Sequence, residues 1–187
     1  MIGDIVSRLT AVKDFDRVTL LDRLQAANST ITGINYMYGH PTELVSRLQL
    51  RTQDDGDLDS QTGGKWDMWP VVMLFTDFPE TMDNTGGGYF QTVTLQIVIA
   101  MITERNLFAE QRLNINFKPI LQPIYEALMQ SIMRSAYFVV QSQKQIRHTK
   151  YDRYFWGKTG LYGNSGNMFN DHIDAIEIQN LTLRVNN

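Results

Sequence analysis

Between Phe90 and Ile102 the chain alternates with a period of two. Val93, Leu95, Ile97, Ile99 and Met101 fall on one face, and Thr92, Thr94, Gln96, Val98, Ala100 and Ile102 on the other. Successive strand side chains point to opposite faces, so this run predicts a β-strand with one fully buried face. From Val98 onward the second face is apolar too, which predicts cover on both sides at that end. A helical pattern follows. Ile120, Ile124, Leu128 and Ile132 recur every four residues, thickened by Leu121, Tyr125, Met129 and Met133. That spacing predicts a helix over Pro119 to Ser135 whose wide apolar face packs on a sheet. Pro123 is unsuited to a helix interior, so regular helix is expected only from about Gln122.

The flanking segments read more locally. Ile2, Ile5, Val6 and Leu9 predict a short amphipathic helix, extended by Val12. Asp16 is the expected cap of a second helix that ends at Asn28 and buries Leu20, Leu21 and Leu24. Ile31 to Tyr38 reads as a strand around Gly33, and Pro41 opens a third helix carrying Leu44, Val45 and Leu48. Residues 51–65 are polar and glycine-bearing and read as a loop. Trp69 to Phe75 returns to strand composition. Asp77 to Gly88 then reads as a flexible connection, making an antiparallel hairpin with a long tip. Residues 104–116 read as a polar lead into the main helix, Tyr137–Val140 as a short strand, and 141–170 as an aromatic, glycine-rich loop. Ile176 and Ile178 alternate in one phase, and Leu181, Leu183 and Val185 in the other. The flip predicts a β-bulge at Gln179 and Asn180. These elements define an α+β fold, a small and mostly antiparallel sheet with helices packed on one face, in a single domain spanning 1–187.

Composition adds exclusions. With 43% hydrophobic and 20% charged residues the chain has the balance of a soluble globular protein, and a net charge of −3 by itself points to neither nucleic acid nor membrane. There is no cysteine, which removes disulfides, thiolate metal sites and a cysteine nucleophile. The opening residues lack a basic region followed by an apolar run, so no export signal is expected.

Candidate chemistry is sparse. Asp55, Asp57 and Asp59 are spaced like the first ligands of a calcium loop, but Ser60 and Trp66 stand where its glycine and glutamate belong. A solvated acidic loop fits better. Gly157-Lys158-Thr159 resembles the end of a phosphate-binding loop, but Asp152 replaces the required first glycine and would repel a phosphate. His40, His148 and His172 are scattered and read as surface or capping residues. Glu80, Asp83 and Glu104 form no acid pair that the sequence fixes. No nucleophile-elbow pattern occurs, so the expectation is a non-enzyme without cofactor or metal. Lys144, Arg147, Lys150, Arg153 and Lys158 interleave with Tyr151, Tyr154, Phe155 and Trp156. Such a cluster serves single-stranded nucleic acid or a protein interface, and Gly157, Gly160, Gly163 and Gly166 suit a loop folded against a neighbour. The acidic balance favours the protein interface.

The order of elements (helical N-terminal part, hairpin 69–75 with 90–102, helix 119–135, final strand 173–185) resembles the tail-terminator and head-to-tail joining proteins of tailed bacteriophages. Trp-Pro-Val-Val-Met-Leu-Phe, Lys-Pro-Ile-Leu-Gln-Pro-Ile-Tyr-Glu-Ala-Leu and Tyr-Asp-Arg-Tyr-Phe-Trp-Gly-Lys-Thr-Gly-Leu-Tyr-Gly are similar to segments of ring or neck proteins in phages of gut Bacteroidetes. The likeness covers about residues 69–187. It implies a virion structural protein, a ring of six or twelve copies at the neck or tail end. Such a ring contacts the portal or connector and tail proteins, and DNA passes through its channel without sequence-specific binding. A closed ring needs two different patches per subunit. The hairpin tip, with Phe78 and Tyr89, and the aromatic loop, with Tyr151, Arg153, Tyr154, Phe155, Trp156, Tyr162 and Phe169, are the candidates. The alternatives are a single-stranded nucleic-acid binding module using Lys150, Arg153, Tyr154 and Trp156, and a small enzyme using His148 or His172.

Overall fold

The alternating run forms the centre of a sheet. A computed structural model of the chain describes residues 2–53, 68–85, 88–104, 106–140, 146–152, 154 and 172–185. In chain order the elements are α1 (Ile2–Leu9), α2 (Leu20–Ala27), β1 (Asn35–Gly39), α3 (Pro41–Gln53), β2 (Val71–Phe75), β3 (Glu80–Thr85) and β4 (Gly88–Thr103). There follow α4 (Ala109–Arg112), a π-helical stretch (Leu113–Leu121), α5 (Gln122–Arg134), β5 (Phe138–Val140), β6 (His148–Tyr151) and β7 (His172–Val185). The fold is α+β. Among the described residues, seven strands form one mixed, mostly antiparallel sheet with helices on it.

Strands β4 and β7 are its long antiparallel axis, in register from Gln91–Val185 to Thr103–His172. On one edge of this pair β2 lies against Ile97 through Ala100, and β3 lies against Gly88 through Val93. On the other edge β6 pairs with Ala175–Ile178 and β5 with Leu183–Val185. Strand β1 adds parallel to β2, and α3 lies between the two in the chain. The face carrying Val93, Leu95, Ile97, Ile99 and Met101 is buried throughout, and Val98, Ala100 and Ile102 are buried on the other. Two-sided cover at that end is therefore present. Each fully buried isoleucine here contributes about 1.5–3 kcal/mol of transfer free energy.

The bulge sits where the apolar phase flips. Ile178 pairs with Ile97 and Leu181 with Leu95, so two residues, Gln179 and Asn180, oppose Gln96. Asn180 takes φ 56, a left-handed conformation that asparagine tolerates and β-branched residues do not. Asn180→Val is expected to cost about 1–2 kcal/mol more than Asn180→Gly in equilibrium urea unfolding. Equal losses for the two would remove backbone strain as the cause.

Several boundaries depart from expectation. Thr19, not Asp16, caps α2: its hydroxyl accepts from the Asp22 amide, and Asp22 Oδ2 accepts from the Thr19 amide. Leu20 and Leu24 are buried, whereas Leu21 is only partly so. The first strand starts at Asn35 rather than Ile31, and α3 runs on to Gln53 into the expected loop. The supposed flexible tip contains β3, a short polar strand that folds back on β4. The expected polar lead-in is helical from Ala109, and part of the supposed aperiodic loop is β6.

Regular α-helix does begin at Gln122. Before it the chain winds as a π-helix through Pro119, with the Gln122 amide donating to the Phe117 carbonyl five residues back. Proline lacks an N–H and crowds the preceding turn, and the wider winding accepts that. Helices α1 and α2 pack on α5, and the π-helical stretch lies on β4 and β7. Among the described residues no helix is long and apolar enough to cross a membrane.

Candidate interaction surfaces

Of the residues expected at an interface, Arg153, Phe155, Trp156, Tyr162 and Phe169 lie outside the described residues. So does the side chain of Tyr89, whose backbone pairs with Asn84 at the tip. Lys144, Lys158, the 157–166 glycines and the acidic run Asp55–Asp59 are likewise outside. Tyr151 and Tyr154 come together, ring centroids 5.0 Å apart and nearly perpendicular. The Tyr154 amide donates to the Ile173 carbonyl at 2.6 Å and so continues the β6 pairing. Phe78 is elsewhere, beside β3 on the opposite edge of the β4–β7 pair. The structure thus separates the two groups of candidates.

The tyrosine pair stands on a polar ribbon. Register places Thr149 and Tyr151 on the same sheet face as Glu177 and Ala175. Glu177 is buried, and its carboxylate accepts from the side-chain amides of Gln96 and of Gln179, the latter at 2.9 Å. Burial, and then a hydrogen bond to Glu177, raise the Tyr151 pKa, so its hydroxyl stays protonated. The ribbon continues through Thr94 and Thr182, 3.3 Å apart, to Arg184, whose guanidinium lies 3.4 Å over the Phe90 ring.

On the other face a buried charge network fastens this edge to the helices. Arg112 is fully buried. Its Nη1 donates to Asp174 Oδ1 at 2.9 Å and lies 3.1 Å from Asp152 Oδ1. Its Nε and Nη2 donate to the Leu107 and Glu104 carbonyls. Asn116, one helical turn on, donates to Asp174 Oδ2 at 2.7 Å. Asp152, the residue that spoils the phosphate-loop pattern, therefore ties the end of β6 to the helix that carries Arg112. Sequence periodicity missed the network because it reads an arginine and an asparagine as solvent-facing.

A second feature was also missed, an apolar cleft of about 440 Å³ walled by Ile2, Tyr36, Tyr38, Leu74, Phe78 and Val93, with Asp4 and Glu80 among its lining residues. Gly3 shapes it. A Cβ at that position would sit 2.9 Å from Tyr36 Cε1, so only glycine lets the ring lie against α1. Burial pushes the Tyr36 pKa up to about 12, which keeps this wall uncharged at neutral pH. The one available sequence signal was the pair Tyr36 and Tyr38, two apart on a strand.

The histidines do not converge. His40 Nδ1 lies 2.7 Å from Thr42 Oγ1 at the start of α3, His148 packs its ring 4.6 Å from that of Tyr125, and His172 pairs with Thr103 across the sheet. Glu80 bonds Gln91, Asp83 faces Phe90 across the hairpin, and Glu104 offers its carbonyl to Arg112. Among the described residues no group of three or more His, Asp or Glu is placed to hold a metal ion. No protein-family model matches the chain, and no curated protein matches it in sequence.

Proposed function

We propose that this chain is a virion structural protein, a ring-forming subunit at the neck or tail end of a tailed phage, through whose channel DNA passes. Its partners would be further copies of itself and the portal, connector and tail proteins above and below. The observation that carries the reading is a sheet with two unlike ends. Among the described residues it stops at β1 on one side and at β5 and β6 on the other. The first end is a parallel strand that exposes Tyr38, the second is formed by two short antiparallel strands and exposes Val139 beside Tyr137, and the apolar cleft has lining residues from both, Tyr36 and Tyr38 of β1 and Phe138 of β5. Open edges and exposed aromatic residues invite pairing, and unlike ends suit the head-to-tail contacts from which a rotational ring closes. The order of hairpin, helix and terminal strand, on which the family resemblance rests, supports the same reading.

Native mass by light scattering over a range of concentrations tests it. Six copies of a 21.5 kDa chain give about 129 kDa, and twelve give twice that. A discrete assembly near either value is the expected result. A mass fixed at one chain, with salt-sensitive oligonucleotide binding that Arg153→Ala and Trp156→Ala abolish, would transfer the reading to a nucleic-acid module. The geometry favours the ring, because Tyr151 is held against the Glu177 carboxylate, a poor neighbour for phosphates.

A further inference from the structure

Phe15 is fully exposed, the most exposed large apolar side chain among the described residues. It is not at the end of a loose segment. The turn beneath it is closed at several points: the Asp14 amide donates to the Val18 carbonyl at 3.0 Å, the Arg17 amide to the Asp14 carbonyl at 3.1 Å, and the Val18 amide to Asp14 Oδ1 at 2.9 Å. Lys13 and Thr19 bridge below it, and Arg17 holds φ 63. A phenyl ring fixed in water on a braced turn has a hydration cost that a partner removes.

The same subunit carries a matching recess. The cleft between Tyr36, Tyr38 and Phe78 measures about 440 Å³, and a cavity of roughly 150 Å³ already holds benzene. The charges match as well. Lys13 and Arg17 are exposed beside Phe15 with Asp16, while Asp14 is held within the turn. Asp4 and Glu80 line the cleft, and among the described residues no lysine or arginine does. The two features lie beyond opposite ends of α1, whose eight residues span about 12 Å. Phe15 therefore cannot fill the cleft of its own chain.

We infer that Phe15 of one subunit inserts into the Tyr36–Tyr38–Phe78 cleft of the next copy of this chain, with Lys13 and Arg17 facing Asp4 and Glu80. The contact is heterologous, since knob and recess are different surfaces, and repeated it generates a ring or an open chain. It deepens the ring reading, on which it rests, by naming the contact between neighbours.

The absence of natural cysteine makes a clean test. Lys13→Cys and Glu80→Cys, both at exposed positions, leave Phe15 and the aromatic walls of the cleft in place, and circular dichroism confirms folding. The double variant, treated with a mild oxidant, is expected to give a ladder of disulfide-linked multimers that collapses on reduction. Each single variant can give only dimers. A disulfide needs Cα atoms within about 7 Å, and mass spectrometry of the digested ladder is expected to find position 13 linked to position 80, which reports the proposed contact, whereas links of either position only to itself would overturn it. Alongside, Phe15→Ala is expected to weaken self-association of the otherwise unchanged chain at least tenfold, the typical effect of removing an aromatic anchor. If the unmodified chain assembles while Phe15→Ala leaves its mass unchanged and no ladder forms, this contact is wrong and the ring reading stands. If the unmodified chain stays at one copy and no ladder forms, both fall.

Discussion

Arg112→Ala and Asp174→Ala are each expected to cost about 3–5 kcal/mol of folding stability, read from guanidinium unfolding midpoints at constant slope. The two side chains are wholly inaccessible to water and 2.9 Å apart. Removing one partner of such a pair leaves the other charge buried without compensation. Without Asp174, the guanidinium keeps the Leu107 and Glu104 carbonyls and the Asp152 carboxylate, which is 42% exposed. Without Arg112, the Asp174 carboxylate loses its fully buried cationic donor and keeps the Asn116 amide among its partners. The double variant Arg112→Met/Asp174→Leu is expected to recover much of the loss, because an apolar pair of similar bulk leaves no charge behind, although the Asn116 amide then lacks its acceptor. Asp152→Ala, at the solvent end of the network, should cost under about 1 kcal/mol and less still in high salt. Losses below about 1 kcal/mol for both would mean that the pair behaves as a surface ion pair rather than as a buried one.

What the sequence made legible, and what it hid, divides along the same physical line. Strand β4 was readable because its alternation is carried by residues whose burial needs no partner: the apolar side chains of one face are buried and the threonines of the other are not. The bulge was readable because a phase flip between Ile178 and Leu181 has one economical backbone solution. The start of regular helix at Gln122 was readable from Pro123. The helix before it was hidden, since Arg112 and Asn116 point inward to a single aspartate contributed by a strand about sixty residues away. Strands β3 and β6 were hidden because Glu-Thr-Met-Asp-Asn-Thr and His-Thr-Lys-Tyr have no strand signal of their own, and their pairing is imposed by the long strands beside them. The cleft was the least legible feature. It is assembled from α1, β1, β2, β3, β4, β5, β7 and the Phe78 turn, which no local pattern links.

Leu128→Ala is expected to cost about 2–5 kcal/mol, and Met133→Ala under about 0.5 kcal/mol, although one apolar stripe contains both residues. Leu128 is fully buried, as are its stripe neighbours Ile124 and Ile132, and truncation opens a cavity that this interior closes only partly. Met133 is 56% exposed in the last turn of α5, where the helix ends at Arg134 before β5. Its thioether already meets water, so truncating it removes little contact. A helix that docks α1 and β5 on one side has room to bury only part of its circumference, and the stripe read at four-residue spacing is wider than that. The contrast is therefore a test of how α5 is rotated about its axis. A rotation of one residue position, about 100°, would bring Met133 inward and turn Leu128 out, and the two losses would exchange rank. Thermal and urea unfolding of the two variants, measured at one protein concentration so that concentration-dependent terms are equal, decide between these orientations.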